Sequence, residues 1–139
     1  MFTNLNYQRL FSYFGIIPYI IIILDKFFLH QFTSNILLDF SILYSLIIFV
    51  FIGAMNWNLK KQLDKTLILL GIMPSLCSVL VILLYLNNYS VISLIIILLS
   101  FQLFFDYKFI YKGKKLKNIF FGTRMPLTLA IVLVLFIIQ

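Results

Sequence analysis

Glutamate is absent from this chain, and its four acids are all aspartate: Asp25, Asp39, Asp64 and Asp106. It holds one histidine, His30, one cysteine, Cys77, and one tryptophan, Trp57. A single cysteine excludes an intrachain disulfide and leaves the redox compartment unread. One His and one Cys on separate segments make no recognisable metal site. Ligation of a haem by two histidines of this chain is excluded by count. A nucleophile motif, a Gly-rich phosphate loop and a zinc-protease helix motif are also missing. The sequence therefore implies no metal and no cofactor, and it offers no positive evidence for catalysis.

Charge of either sign is scarce. Charged residues make up 11% and hydrophobic residues 63%, against about 25% and about 45–50% in soluble domains. A soluble fold of this size keeps too large a surface fraction to hide so much apolar area. A bilayer removes that problem. Five segments supply the roughly 20 mainly apolar residues that a crossing needs: about 10–30, 36–57, 66–86, 91–111 and 119–139. No small-x-small cleavage site follows the first segment, so it reads as a retained span. An Arg-rich amphipathic transit segment is also absent, which favours a bacterial inner membrane over import into an organelle. The fold class expected is all-α: one membrane domain forming a five-helix bundle.

The few bases are unevenly placed. Arg9, Lys60, Lys61, Lys65, Lys108, Lys112, Lys114, Lys115, Lys117 and Arg124 fall on one side of the expected topology, and only Lys26 on the other. Ten against one places the basic side in the cytoplasm. The N-terminus is then inside and the C-terminus outside. The outer connections, about Gln31–Asn35 and Asn87–Ser90, are long enough to turn a hairpin and little more. The densest run, Lys112-Gly113-Lys114-Lys115-Leu116-Lys117, is short and membrane-tethered. Anionic-lipid contact by Lys112, Lys114, Lys115 and Lys117 explains it more simply than nucleic acid.

Gly15-Ile16-Ile17-Pro18 in the first span matches Gly71-Ile72-Met73-Pro74 in the third. This reads as a parallel duplication of a two-helix unit, followed by a fifth helix. Pro126 occupies a comparable place in that fifth span. Each proline frees the carbonyl four residues back, so those of Phe14, Leu70 and Gly122 need partners inside the protein or a cavity. Ordinary kinks account for these prolines; a shared kink level opening a cytoplasmic pocket is the sharper reading.

Ionisable groups within spans are functional candidates by default. Asp106 has Gln102 one turn earlier on the same face, Arg124 begins the fifth span, and Asn56 and Trp57 end the second. A cluster of Gln102, Asp106, Arg124 and Asn56 roofed by Trp57 is geometrically feasible. An interfacial ion pair with a Trp belt anchor needs no activity and accounts for the same residues. Asp25, Lys26 and His30 end the first span on the same side as Asp39, and the four could pair with one another across the short hairpin. Few polar groups lie between the two faces, which argues against a proton path. Gly53-Ala54, preceded by Ser41 and Ser45, offers a small-residue face for bundle packing or for a partner helix.

Phe51-Ile52-Gly53-Ala54-Met55-Asn56-Trp57, Leu70-Gly71-Ile72-Met73-Pro74-Ser75, Asp106 and Arg124-Met125-Pro126-Leu127-Thr128 follow in one order and spacing. In this the chain resembles the small proteobacterial membrane proteins of domain-of-unknown-function family thirty-four twenty-nine. That family is itself similar to an animal mitochondrial protein, transmembrane protein sixty-nine. The resemblance runs from about Leu10 to the C-terminus. A His often stands in that family where this chain has Asn56. The resemblance implies a multi-pass membrane location and nothing catalytic. Three functions stay open: an accessory or assembly factor for a larger membrane complex, a small transporter or channel acting as a homo-oligomer, and an enzyme on a lipid or quinone around Trp57 and Arg124.

Overall fold

The computed structural model describes residues 12–55 and 65–139. The regular elements of the described residues are all helices, with no strand among them. Five helices are long and apolar enough to cross a membrane: α1, Ser12–Leu29; α2, Ser34–Met55; α3, Ile68–Leu86; α4, Ile92–Ile110; and α5, Leu116–Ile138. Only 17% of the α1 window and 22% of the α3 window are buried, and α2 reaches the highest value at 44%. Helices so apolar and so little covered need lipid or a partner rather than water around them.

The chain forms two compact units. One joins the described residues up to Ser41 with Tyr111–Gln139, and the other is built from Ile42–Ile110.

In the first unit α1 packs against α5. Its α-helix begins at Ile17, after a turn at Gly15-Ile16, so Pro18 sits in the first helical turn. There its missing N–H costs nothing, because the first-turn amides have no helical acceptor. Tyr19, Ile22 and Asp25 form the buried stripe, at the three-residue spacing of one helix face. The last turn, Asp25–Leu29, widens into a π-helix. His30 then stops the helix in the left-handed conformation, φ 52°. Helix α5 is likewise composite: an α turn over Lys114–Ile119, a π turn over Phe120–Arg124, and an α-helix over Met125–Ile138 with Pro126 in its first turn. The buried positions step by five from Thr123 to Thr128, an interval that a π turn supplies and a plain α-helix does not.

In the second unit α3 presents Gly71, Pro74, Ser78 and Val81 to the interior. Helix α4 buries Ile92, Ile95, Leu99, Gln102, Asp106 and Ile110. Both sets keep the spacing of three and four that defines one helix face. Pro74 lies inside α3, which continues through it. Gly53 of α2 lies close against α3. A Cβ there would lie 2.7 Å from Pro74 Cγ and 2.9 Å from the Gly71 carbonyl oxygen. The small-residue face at Gly53 is thus used for packing within the chain. At the α3–α4 turn Asn88 takes the left-handed conformation, φ 63°. The amide of Tyr89 bonds back to the Leu84 carbonyl at 3.2 Å and that of Asn88 to Tyr85 at 2.9 Å, and Asn tolerates this role better than any residue but Gly. Helix α4 also ends in a π turn, Asp106–Ile110.

Candidate functional site

Two buried acids each open a π turn, and they mark the polar sites of the two units. π turns leave backbone groups out of α-helical register and are common where a helix carries a specialised side chain.

In the second unit Asp106 is fully buried and Gln102 nearly so. Gln102 Nε2 donates to Asp106 Oδ1 at 3.0 Å. The pair sits on the interior stripe of α4, so the acid faces protein and not lipid. On the same helix Phe105 lies between Phe101, tilted against it at 5.7 Å, and Phe109, stacked on it at 5.8 Å between ring centroids. Lys108 lies 5.9 Å from the Phe104 ring and 5.6 Å from that of Phe109. The ammonium gains from the ring faces while its stem covers apolar surface.

In the first unit Asp25 is 2% exposed. Its carbonyl accepts the His30 amide at 2.8 Å. Its carboxylate accepts the Gln31 amide through Oδ1 and the Phe32 amide through Oδ2, each at 3.1 Å. One residue therefore satisfies three consecutive amides of the α1–α2 turn, and charge-assisted bonds of this kind are the stronger ones. Thr33 completes the turn, its hydroxyl oxygen 3.5 Å from the Ile36 amide at the start of α2. Asp25 and Lys26 do not pair with each other. Lys26 Nζ instead donates to the carbonyls of Ile137 and Ile138 in the last turn of α5, at 2.6 and 3.4 Å. Carbonyls at a helix C-terminus lack intrahelical donors and favour a cation. Side-chain ion pairing looked natural in the sequence, but the backbone groups left open by two helix ends compete successfully for both charges.

The third polar feature is a consequence of Pro126. With no N–H there, the Gly122 carbonyl loses its usual α-helical donor. The Tyr13 hydroxyl donates to it at 2.8 Å. Tyr13 carries no signal in the sequence that would have singled it out. Other polar side chains in the helices turn back on their own backbone: Ser41 to Leu37 at 2.6 Å, Thr123 to Ile119 at 2.6 Å and Thr128 to Arg124 at 3.0 Å. Ser78 Oγ is the one buried side-chain polar atom without a partner among the described residues.

Of the residues singled out in the sequence, Gln102 and Asp106 are brought together. Arg124 ends the π turn of α5, half-buried, in the other unit. Asn56 and Trp57 lie outside the described residues. The prolines take two different roles: Pro18 and Pro126 open α-helical segments, whereas Pro74 is internal and packs at Gly53. Gly15 lies in the turn before Ile17, and Gly71 is buried within α3. Lys112, Lys114 and Lys117 are exposed; the Lys115 side chain is outside the described set. No group of three or more potential metal ligands occurs among the described residues.

No curated protein and no solved structure was found to match the chain. One family model does match, described as "Protein of unknown function (DUF3429)", over residues 6–138. With nearly its whole length matched by that model, and five helices able to cross a membrane, the chain belongs to the DUF3429 family of uncharacterised proteins and is a multi-pass membrane protein.

Proposed function

We propose that the protein is a non-enzymatic accessory or assembly component of a larger complex in a bacterial inner membrane, with its N-terminus in the cytoplasm. The supporting observation is the thin coverage of α1 and α3, whose apolar windows are 17% and 22% buried. Such helices are open along most of their length to a neighbouring subunit. The polar side chains agree with this reading. Asp25, Lys26 and Tyr13 are engaged with the chain's own backbone rather than gathered around a cavity. The basic-side rule supports the orientation. The two matching Gly-x-x-Pro segments support a duplication, although one now breaks its helix and the other continues through it. Mild-detergent extraction of a tagged copy from native membranes should yield a defined assembly heavier than any homo-oligomer. A lone monomer or homo-oligomer would reject the accessory role.

Asp106 favours a second reading, a small transporter or channel working as an oligomer. A carboxyl group wholly buried within a span is costly and needs a reason. In proteoliposomes Asp106→Asn keeps the hydrogen bond from Gln102 but removes the charge. A flux lost in that variant with folding intact would support transport. Wild-type vesicles showing no flux over a broad solute panel would count against it.

A further inference from the structure

We propose that the segment Gly113–Phe121 holds one anionic phospholipid by its headgroup, at a defined groove and not through diffuse surface charge. An open groove of about 450 Å³ is lined there by Gly113, Lys114, Lys117, Asn118 and Phe121. Positions 114, 117, 118 and 121 recur at intervals of three and four and so share one helix face. Along that face the chemistry changes in order. Two exposed lysines and an exposed asparagine come first, then Phe121, 52% exposed, one turn past Lys117. Lys114 and Phe121 are seven residues apart, about 10 Å along a helix. The headgroup layer of one leaflet is about 5–8 Å deep. The face therefore presents cations and an amide at headgroup depth and an aromatic ring beside the first part of an acyl chain. A free phosphate would use only the first half of that gradient.

The residues next to the groove are locally ordered by packing and by backbone conformation. Tyr111 and Phe120, both buried, pack with tilted rings, centroids 5.2 Å apart, beside the start of α5. Gly113 takes φ 96° and ψ 153°, a region open essentially to glycine alone. A Cβ there would meet nothing within 4 Å, so the backbone conformation and not crowding calls for glycine at this position. Lys114 and Lys117 supply two positive charges facing a phosphodiester, and each lysine near a membrane surface strengthens contact with anionic lipid.

Native mass spectrometry of the full chain, released from micelles doped with phosphatidylglycerol or phosphatidylcholine, tests this. One phosphatidylglycerol per chain should be retained in preference to phosphatidylcholine. The double variant K114Q/K117Q should bind it roughly thirtyfold more weakly. The control K65Q/K108Q removes the same charge at two lysines that do not line the groove and should bind as wild type. Phe121→Ala should weaken lipid retention while leaving the thermal midpoint of the detergent-solubilised protein near wild type. Equal losses in both double variants would overturn the site in favour of diffuse charge. Equal retention of phosphatidylcholine would overturn headgroup recognition, and full displacement by millimolar inorganic phosphate would overturn the lipid assignment.

Discussion

Tyr13 and Gly122 lie far apart in the chain, yet the hydroxyl of one completes what a proline removes from the other. The need for a donor at Gly122 was legible in the sequence, because Pro126 cannot supply an N–H. The donor's identity was not: any hydroxyl or amide on any helix would have satisfied the rule. Tyr13→Phe keeps the ring and deletes only the hydroxyl. It should lower stability by about 0.6 kcal/mol, and by no more than roughly 1.7, the range for hydrogen bonds between membrane helices. Unfolding in mixed detergent micelles measures this. No change would mean that Gly122 draws on a second donor. Asp25 was legible only in part. Its isolation in an apolar segment marked it as costly, and ion pairing was the natural inference. The groups it serves are backbone amides, which every residue carries and which therefore leave no trace in composition.

Helices were readable as elements because a crossing demands a long apolar run, and a run of that length has few alternatives. The π turns were not. Each adds one residue to a turn without changing hydropathy, so Asp25–Leu29, Asp106–Ile110 and Phe120–Arg124 look like helix of any kind. The use of Gly53 lay between these cases. The sequence offered a small-residue face, and it took the position of Pro74 to say what fills it. Gly53→Ala would bring a methyl within 2.7 Å of Pro74 Cγ and 2.9 Å of a backbone oxygen. The backbone oxygen cannot step aside, so α2 and α3 must separate. The expected cost is about 1–3 kcal/mol, read as a lowered thermal midpoint in detergent. Ala54→Leu, at an exposed neighbouring position, should leave the midpoint unchanged.

For the whole molecule, the distribution of bases is the property most open to direct test. The proposed orientation puts Lys26 alone among the bases on the outer side, so a reporter active only outside the cytoplasm should work when fused after Gln139 and fail when fused before Met1. The reverse pattern would overturn the use of the charge bias. Moving Lys112, Lys114 and Lys117 to glutamine together should weaken that preference and yield a mixed population. The pairing of α1 with α5 bears on how the chain is made. Tyr13 and Lys26 both bond to residues more than a hundred positions further on. At about 5–20 residues per second of synthesis, α1 emerges roughly 5–20 s before the carbonyls it will serve. During that interval the helix made early must be sheltered by the insertion machinery or by lipid, so a ribosome stalled anywhere before α5 leaves a recognisable, unlatched product for quality control.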